Sequence, residues 1–210
     1  MPRRRPRGPL SSSCLPSCPE CGNGVDDADP EDSLADFPDD PGCTSASDTT
    51  ETDCIDSDPV VVISQPLTTG DTSTATHDFE LDCSSSFSMG APDIVHSLVV
   101  PGTLTSLDLD TNDSGFDTVL AIRAGECTGA DIDCDDEGGV TFGDSAISLT
   151  NVAPGTYYII VDAWSTSSGA YNLNVSGVIQ TGQPCNPAQI SSGLFSCQGG
   201  GACSTTCQAP

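Results

Sequence analysis

The chain has 210 residues, with 31 acidic side chains against 5 arginines and no lysine, and a formal net charge of −26. That sign of charge excludes nucleic acid as a partner, since phosphate would meet a field of its own sign, and no stretch approaches the roughly 18 apolar residues of a membrane span. Aromatics make up only 5% while Ser, Thr, Gly, Asp and Val abound, a composition of strands and turns, and the 12 cysteines point to disulfides and an extracellular address.

Residues 1–19 are a basic, Pro- and Ser-rich lead carrying Cys14 and Cys18. Its start, MPRRRPRGPL, has no apolar run of the kind a secretory signal requires. Arg3, Arg4, Arg5 and Arg7 lie here, so Arg123 is the one cation beyond residue 7.

Residues 20–58 hold 14 acids and have no apolar periodicity. A segment of this kind cannot bury a core, so its cysteines (Cys21, Cys43, Cys54) and bound ions must fold it. Carboxylates recur at Asp27, Asp29 and Glu31, with Asp36, Asp39 and Asp40 shortly after. Calcium takes six to eight hard oxygens, and an alternating acidic loop that curls back on itself supplies them. A solvated acidic linker is the other reading. Calcium is the expected missing charge, because unpaired like charges repel the compact state.

Residues 59–179 change to short β-branched or alternating runs. Strands are predicted over 60–64, 77–82, 93–100, 103–110, 118–124, 146–152, 156–163 and 170–178, separated by Pro-Gly, Asn-Asp-Ser-Gly, Gly-Gly and Ser-Ser-Gly turns. That pattern reads as an all-β sandwich. In the last run Tyr171, Leu173 and Val175 face one way and Asn172, Asn174 and Ser176 the other. Runs 118–122 and 157–161 are apolar on both faces and should be central. Residues 180–210 form a Cys-rich tail (Cys185, Cys197, Cys203, Cys207) with no core of its own.

Arg123 falls in a central strand, where a lone guanidinium needs a partner, and a bidentate pair with a nearby carboxylate is expected. Cys127 and Cys134 flank a short excursion and suggest a hairpin disulfide; Cys54 with Cys83 would tie the acidic module to the sandwich. Enzyme signals fail on inspection. Cys14-x3-Cys18-x2-Cys21 has the spacing of a radical iron–sulfur motif but lacks the α/β barrel such chemistry uses. His77 and His96 lie in predicted strands with no nucleophile motif beside them. Tyr157, Tyr158 and Trp164 read as core or as a sugar platform, with core favoured for tyrosines of a central strand.

Two stretches resemble known families. Asn23-Gly24, the Asp run, Asp36-Phe37-Pro38 and Asp40-Pro41-Gly42-Cys43, continued by Thr44–Glu51, resemble the Asp-rich modules of secreted bacterial surface proteins; the departure is Ala28–Ala35, which replaces a shorter Asp-Gly-Asp-Gly stretch. This resemblance implies that Asp48 and Glu51 join the ligand set. Over residues 75–178 the pieces Pro92–Leu98, Gly115–Arg123, Cys134-Asp-Asp136, Ser145–Leu149, Pro154–Asp162 and Ser168–Val175 resemble the bacterial pre-peptidase C-terminal domain. That resemblance implies a jelly-roll-like β-sandwich, a non-catalytic appendage of secreted enzymes and surface proteins. In some members carboxylates bind calcium, which carries over to Asp117, Asp135, Asp136 and Asp162. Ordinary turn chemistry, with Asp capping backbone amides, is the competing account of these four.

These readings make the chain a secreted, calcium-binding, disulfide-stapled structural or adhesive protein of a bacterial cell surface or matrix, without catalysis. Val60–Ile63 is placed to join its own sheet or to add to the edge of a neighbour, which would give a homo-oligomer or filament. The alternative is a non-catalytic accessory module of a secreted hydrolase, binding polysaccharide or a matrix protein.

Overall fold

The computed structural model describes residues 60–79, 81, 83 and 90–210. The expected ligands Asp27, Asp29, Glu31, Asp36, Asp39, Asp40, Asp48 and Glu51 lie outside these residues. Among the described residues no helix is long and apolar enough to cross a membrane.

Two sheets face each other. The first runs β1 (Val61–Val62), β3 (Ile94–Val100), β8 (Gly155–Ala163), β5 (Thr118–Ala124), β6 (Asp133–Asp135). The second is built on β9 (Ala170–Ile179), β4 (Leu104–Asp110) and β7 (Ala146–Val152). The outer edge of β9 is divided: β2 (Leu67–Asp71) pairs antiparallel with residues 170–174, and β10 (Phe195–Cys197) pairs parallel with residues 177–179.

The alternation expected in β9 is present. Tyr171, Leu173 and Val175 are buried while Ala170 and Ser176 are exposed. With Leu98, Leu107, Leu120, Ile122 and Ile159 they fill the space between the sheets. In β4 the register shifts between Leu104 and Ser106, so buried positions change from even to odd and Leu104, Leu107 and Leu109 all reach the core. The shift lies in the β4–β9 ladder, and the β4–β7 register runs on without one.

β5 and β8 are buried on both faces because the first sheet carries a second layer. Phe79 and Leu81 lie over Val95, Val119, Ala121 and Ile160 on its outer side. Residues 77–82 were expected to form a strand; the described part of that run is instead a strap across this face. Asp93 takes its backbone donors, with Oδ2 accepting the N–H of Asp78 at 2.9 Å and of Phe79 at 3.0 Å. A donor satisfied by a side chain has none left for a ladder.

The disulfides correct the sequence reading. Cys134 of β6 bonds Cys83, not Cys127, which also rules out Cys83 with Cys54. Cys127 is itself disulfide-bonded. Arg123 donates from Nε to Asp131 Oδ1 at 2.6 Å and from Nη1 to the Cys127 carbonyl, and its guanidinium lies 4.9 Å from the centre of the Phe79 ring. The expected bidentate carboxylate pair is thus divided between a carboxylate and a carbonyl.

Val60–Ile63 enters its own sheet. Val61 pairs with His96 and Val62 with Ser97, the Ile63 N–H reaches the Ser97 carbonyl at 2.9 Å, and Ile63 is 3% exposed in the core. The tail adds to the same core through Leu194 and Phe195, after the short helix α1 (Pro187–Ser192) capped by Asn186 and ended by Gly193 at φ +85°. Cys185–Cys203 and Cys197–Cys207 close it.

Candidate functional site

Strand alternation gathers three of the four sandwich carboxylates on one face. Val119 and Ala121 belong to the outer layer of the first sheet, and Asp117 precedes Val119 by two. Asp162 lies opposite Val119 in the β5–β8 ladder. Cys134, opposite Ala121, packs against the same layer, and Asp136 follows it by two. Asp117, Asp136 and Asp162 therefore sit toward the outer side at the end where β5 begins and β8 finishes.

Asp135 is one residue out of phase and does a different job. Its Oδ2 accepts the N–H of Gly138 at 2.6 Å and of Ala146 at 2.8 Å, tying the turn after β6 to the start of β7. This is the backbone-capping role, and it leaves Asp135 outside the outer-face group.

Sequence reasoning missed two acids of the cluster. Glu137 raises the pKa of both Asp117 and Asp136 and accepts the Gly143 N–H at 3.2 Å. The run Asp135-Asp136-Glu137 was its only signal. Asp93 immediately precedes Ile94, whose partner is Val161, so continuation of the register brings it across from Asp162. Nothing local in Pro92-Asp93-Ile94 marks it, since its burial comes from the strap.

The electrostatics are those of acids short of a counterion. Asp136 is pushed up to about 6, first by burial and then by the charges of Asp117, Glu137 and Asp135. Asp117 is raised by burial and by Glu137. Asp93, 1% exposed, is raised to about 7, chiefly by burial, against the lowering effect of the Phe79 and Asp78 amides. Oδ1 of Asp117 and Oδ1 of Asp136 are both shielded from solvent and accept no hydrogen bond. Asp162 is fully buried, and its Oδ1 accepts the Ala163 N–H at 2.7 Å.

Hard oxygens in a negative field are the donor type that divalent cations with oxygen preference take. The side chains are not drawn to full ligation spacing: among the described residues no three acids bring one oxygen each within 4.8 Å of one another. The group that meets this spacing, Cys185, Cys197 and Cys207, has its sulfurs in disulfides.

The histidines serve packing and the strap. His96 is fully buried, its Nε2 lies 2.9 Å from the Tyr171 hydroxyl, and burial pushes its pKa down to about 4. His77 Nδ1 lies 2.9 Å from the Ala91 carbonyl and 3.8 Å from Asp93 Oδ2. Tyr157 is 6% exposed and donates its hydroxyl to the Ala153 carbonyl, as a core residue and not a sugar platform.

Fold and site define a disulfide-bonded β-sandwich with a cluster of underneutralised carboxylates at one end of one sheet. No family model and no curated protein matches the chain. Among solved structures it is similar to the pre-peptidase C-terminal domain of a collagenase from Bacillus anthracis, at 15% identity and a TM-score of 0.40, covering 56% of this chain and 95% of that one. It is also similar to PliG, a periplasmic inhibitor of g-type lysozyme from Aeromonas hydrophila, at 11% identity and a TM-score of 0.34, covering 56% of this chain and 98% of that one.

Proposed function

We propose that this chain is a non-catalytic, calcium-binding structural or adhesive module that works outside the cytoplasm. The observation that carries this reading is the pair of Oδ1 atoms on Asp117 and Asp136, buried without partners beside Glu137. Calcium would be held by Asp117, Asp136 and Glu137, with Asp162 on the same face. It would offset their repulsion and fix the turn after β6 against the entrance of β5. Rigidity would then depend on the ion. The disulfides support an extracellular or periplasmic setting. Since β1 is already paired within its own sheet, assembly into fibres would need another donor; among the described residues β7, bonded on one side only, is one edge that could receive it.

The test is thermal unfolding of the full chain in EDTA and across a calcium titration. A ligand that binds only the native state adds about 2.7 kcal/mol at a hundred times its Kd, so the melting temperature should climb with calcium. Asp117→Asn with Asp136→Asn should raise stability in EDTA, by removing repulsion, and reduce the calcium response. Superimposable melts in EDTA and in millimolar calcium would overturn the reading.

A further inference from the structure

Between β6 and β7 the chain holds two large apolar side chains out in solvent: Val140 is 82% exposed and Phe142 is 89% exposed. The backbone beneath them is pinned. The Gly139 N–H donates to the Asp144 carbonyl at 2.8 Å, the Val140 N–H to Asn112 Oδ1 at 2.7 Å, and the Thr141 N–H to Asp144 Oδ2 at 3.2 Å. The Gly143 N–H donates to Glu137, while its carbonyl takes the Thr118 N–H at 2.8 Å. Gly143 has φ +89°, and a Cβ there would lie 3.3 Å from Asp117 Cα, so the turn is fixed by its glycine. Val140 and Phe142 are exposed on a rigid ledge. Apolar groups presented this way are preorganised for contact, with little ordering cost left at binding.

The surroundings say what kind of partner fits. Asp117, Asp136 and Glu137 lie at the base of the ledge, and Asn112, which holds Val140, is followed by Asp113. Arg123 is the one arginine or lysine among the described residues, and it is taken up by Asp131. Among the described residues no other arginine or lysine is left to meet the rim, and a basic partner fits it. We propose that the ledge formed by residues 138–143 docks a basic peptide segment whose arginines or lysines alternate with apolar side chains. The apolar groups pack on Val140 and Phe142 while the cations meet the carboxylate rim. Calcium held by Asp117, Asp136 and Glu137 would compete for the same rim, so docking is measured with the ion removed and its failure there is distinct from failure of calcium binding.

The experiment is fluorescence anisotropy in EDTA, using the full chain and three labelled peptides of equal length: alternating Arg and Leu, alternating Arg and Ser, and alternating Glu and Leu. The Arg–Leu peptide should bind about tenfold or more tightly than Arg–Ser, Glu–Leu should not bind, and affinity should fall as salt is raised. Val140→Ser with Phe142→Ser should abolish the advantage of Arg–Leu over Arg–Ser while leaving the melting curve unchanged, because neither side chain is packed. Equal affinity for Arg–Leu and Arg–Ser, wild-type affinity in the double variant, or binding of the full chain to neutral phosphatidylcholine vesicles in preference to the Arg–Leu peptide would overturn the proposal.

Discussion

Asp93 should give this protein a pH dependence opposite to ordinary acid denaturation. Its carboxyl titrates at about 7 in the folded chain against 3.8 for the free group, mainly through burial beneath the strap. The folded state therefore binds the proton more tightly than the unfolded state. Stability contributed by this group is fully present below about pH 4 and is lost as pH rises toward 7. At about 1.4 kcal/mol per pH unit, the gap amounts to about 4 kcal/mol. Urea unfolding in EDTA with disulfides intact, followed by the fluorescence of Trp164, should show the wild-type midpoint falling relative to that of Asp93→Asn from pH 4 to pH 7 and levelling above, while His96, buried neutral, acts in the opposite sense in both proteins. Asp93→Asn keeps an acceptor for the Asp78 and Phe79 amides but has no charge to bury. It should remove the Asp93 contribution to the slope and be more stable than wild type at pH 8. If wild type and Asp93→Asn show the same slope, the buried carboxyl is not its source and the reasoning fails.

Three further substitutions test the packing. Arg123→Met removes the guanidinium from its pair with Asp131, whose side chains are 7% and 5% exposed; it should cost about 3 to 5 kcal/mol by urea midpoint, the usual penalty for breaking a buried pair. Gly70→Ala places a Cβ 2.2 Å from the Tyr171 hydroxyl oxygen and should cost about 1 to 3 kcal/mol, but less in a Tyr171→Leu background, which a double-mutant cycle by denaturation will read. Phe195→Ala, at a side chain 2% exposed, should destabilise by about 3 to 5 kcal/mol and lower the melting temperature of the whole sandwich, showing that the tail belongs to its core.

Legibility followed the range of the interactions. The period of two in Tyr171–Val175 and the two-sided apolar runs of β5 and β8 were visible, because burial of a long strand writes itself into its own residues. β6 and β10 are three residues each, too short to show a period. β2, Leu-Thr-Thr-Gly-Asp, has almost no apolar content and owes its conformation to the edge of β9, where Gly70 leaves room for the Tyr171 ring. Residues 77–82 alternate like a strand, yet the carboxylate of Asp93 takes the donors a ladder would need. Pairing Cys127 with Cys134 was the local guess; the real bond, Cys83–Cys134, requires the strap to cross the sheet. Asp117, Asp136 and Asp162 were singled out through the family resemblance, and the structure places them toward one face. For Asp135 the two readings, ligand or backbone cap, stood side by side, and its bonds to the Gly138 and Ala146 amides are of the capping kind; Asp93 was missed because its burial is entirely tertiary.

The divided edge of β9 has a consequence for how the protein is made. Its first half is closed by β2, which emerges from the ribosome well before β9 itself. Its second half stays open until Phe195–Cys197 has been synthesised. A product cut short of Leu194 would lack both the plug formed by Leu194 and Phe195 and the strand that covers Gly177–Ile179. It would expose apolar core and bare amides together, the combination that invites proteases and sticks to other chains. The sandwich is thus closed along the whole of β9 only once residues 194–197 are in place.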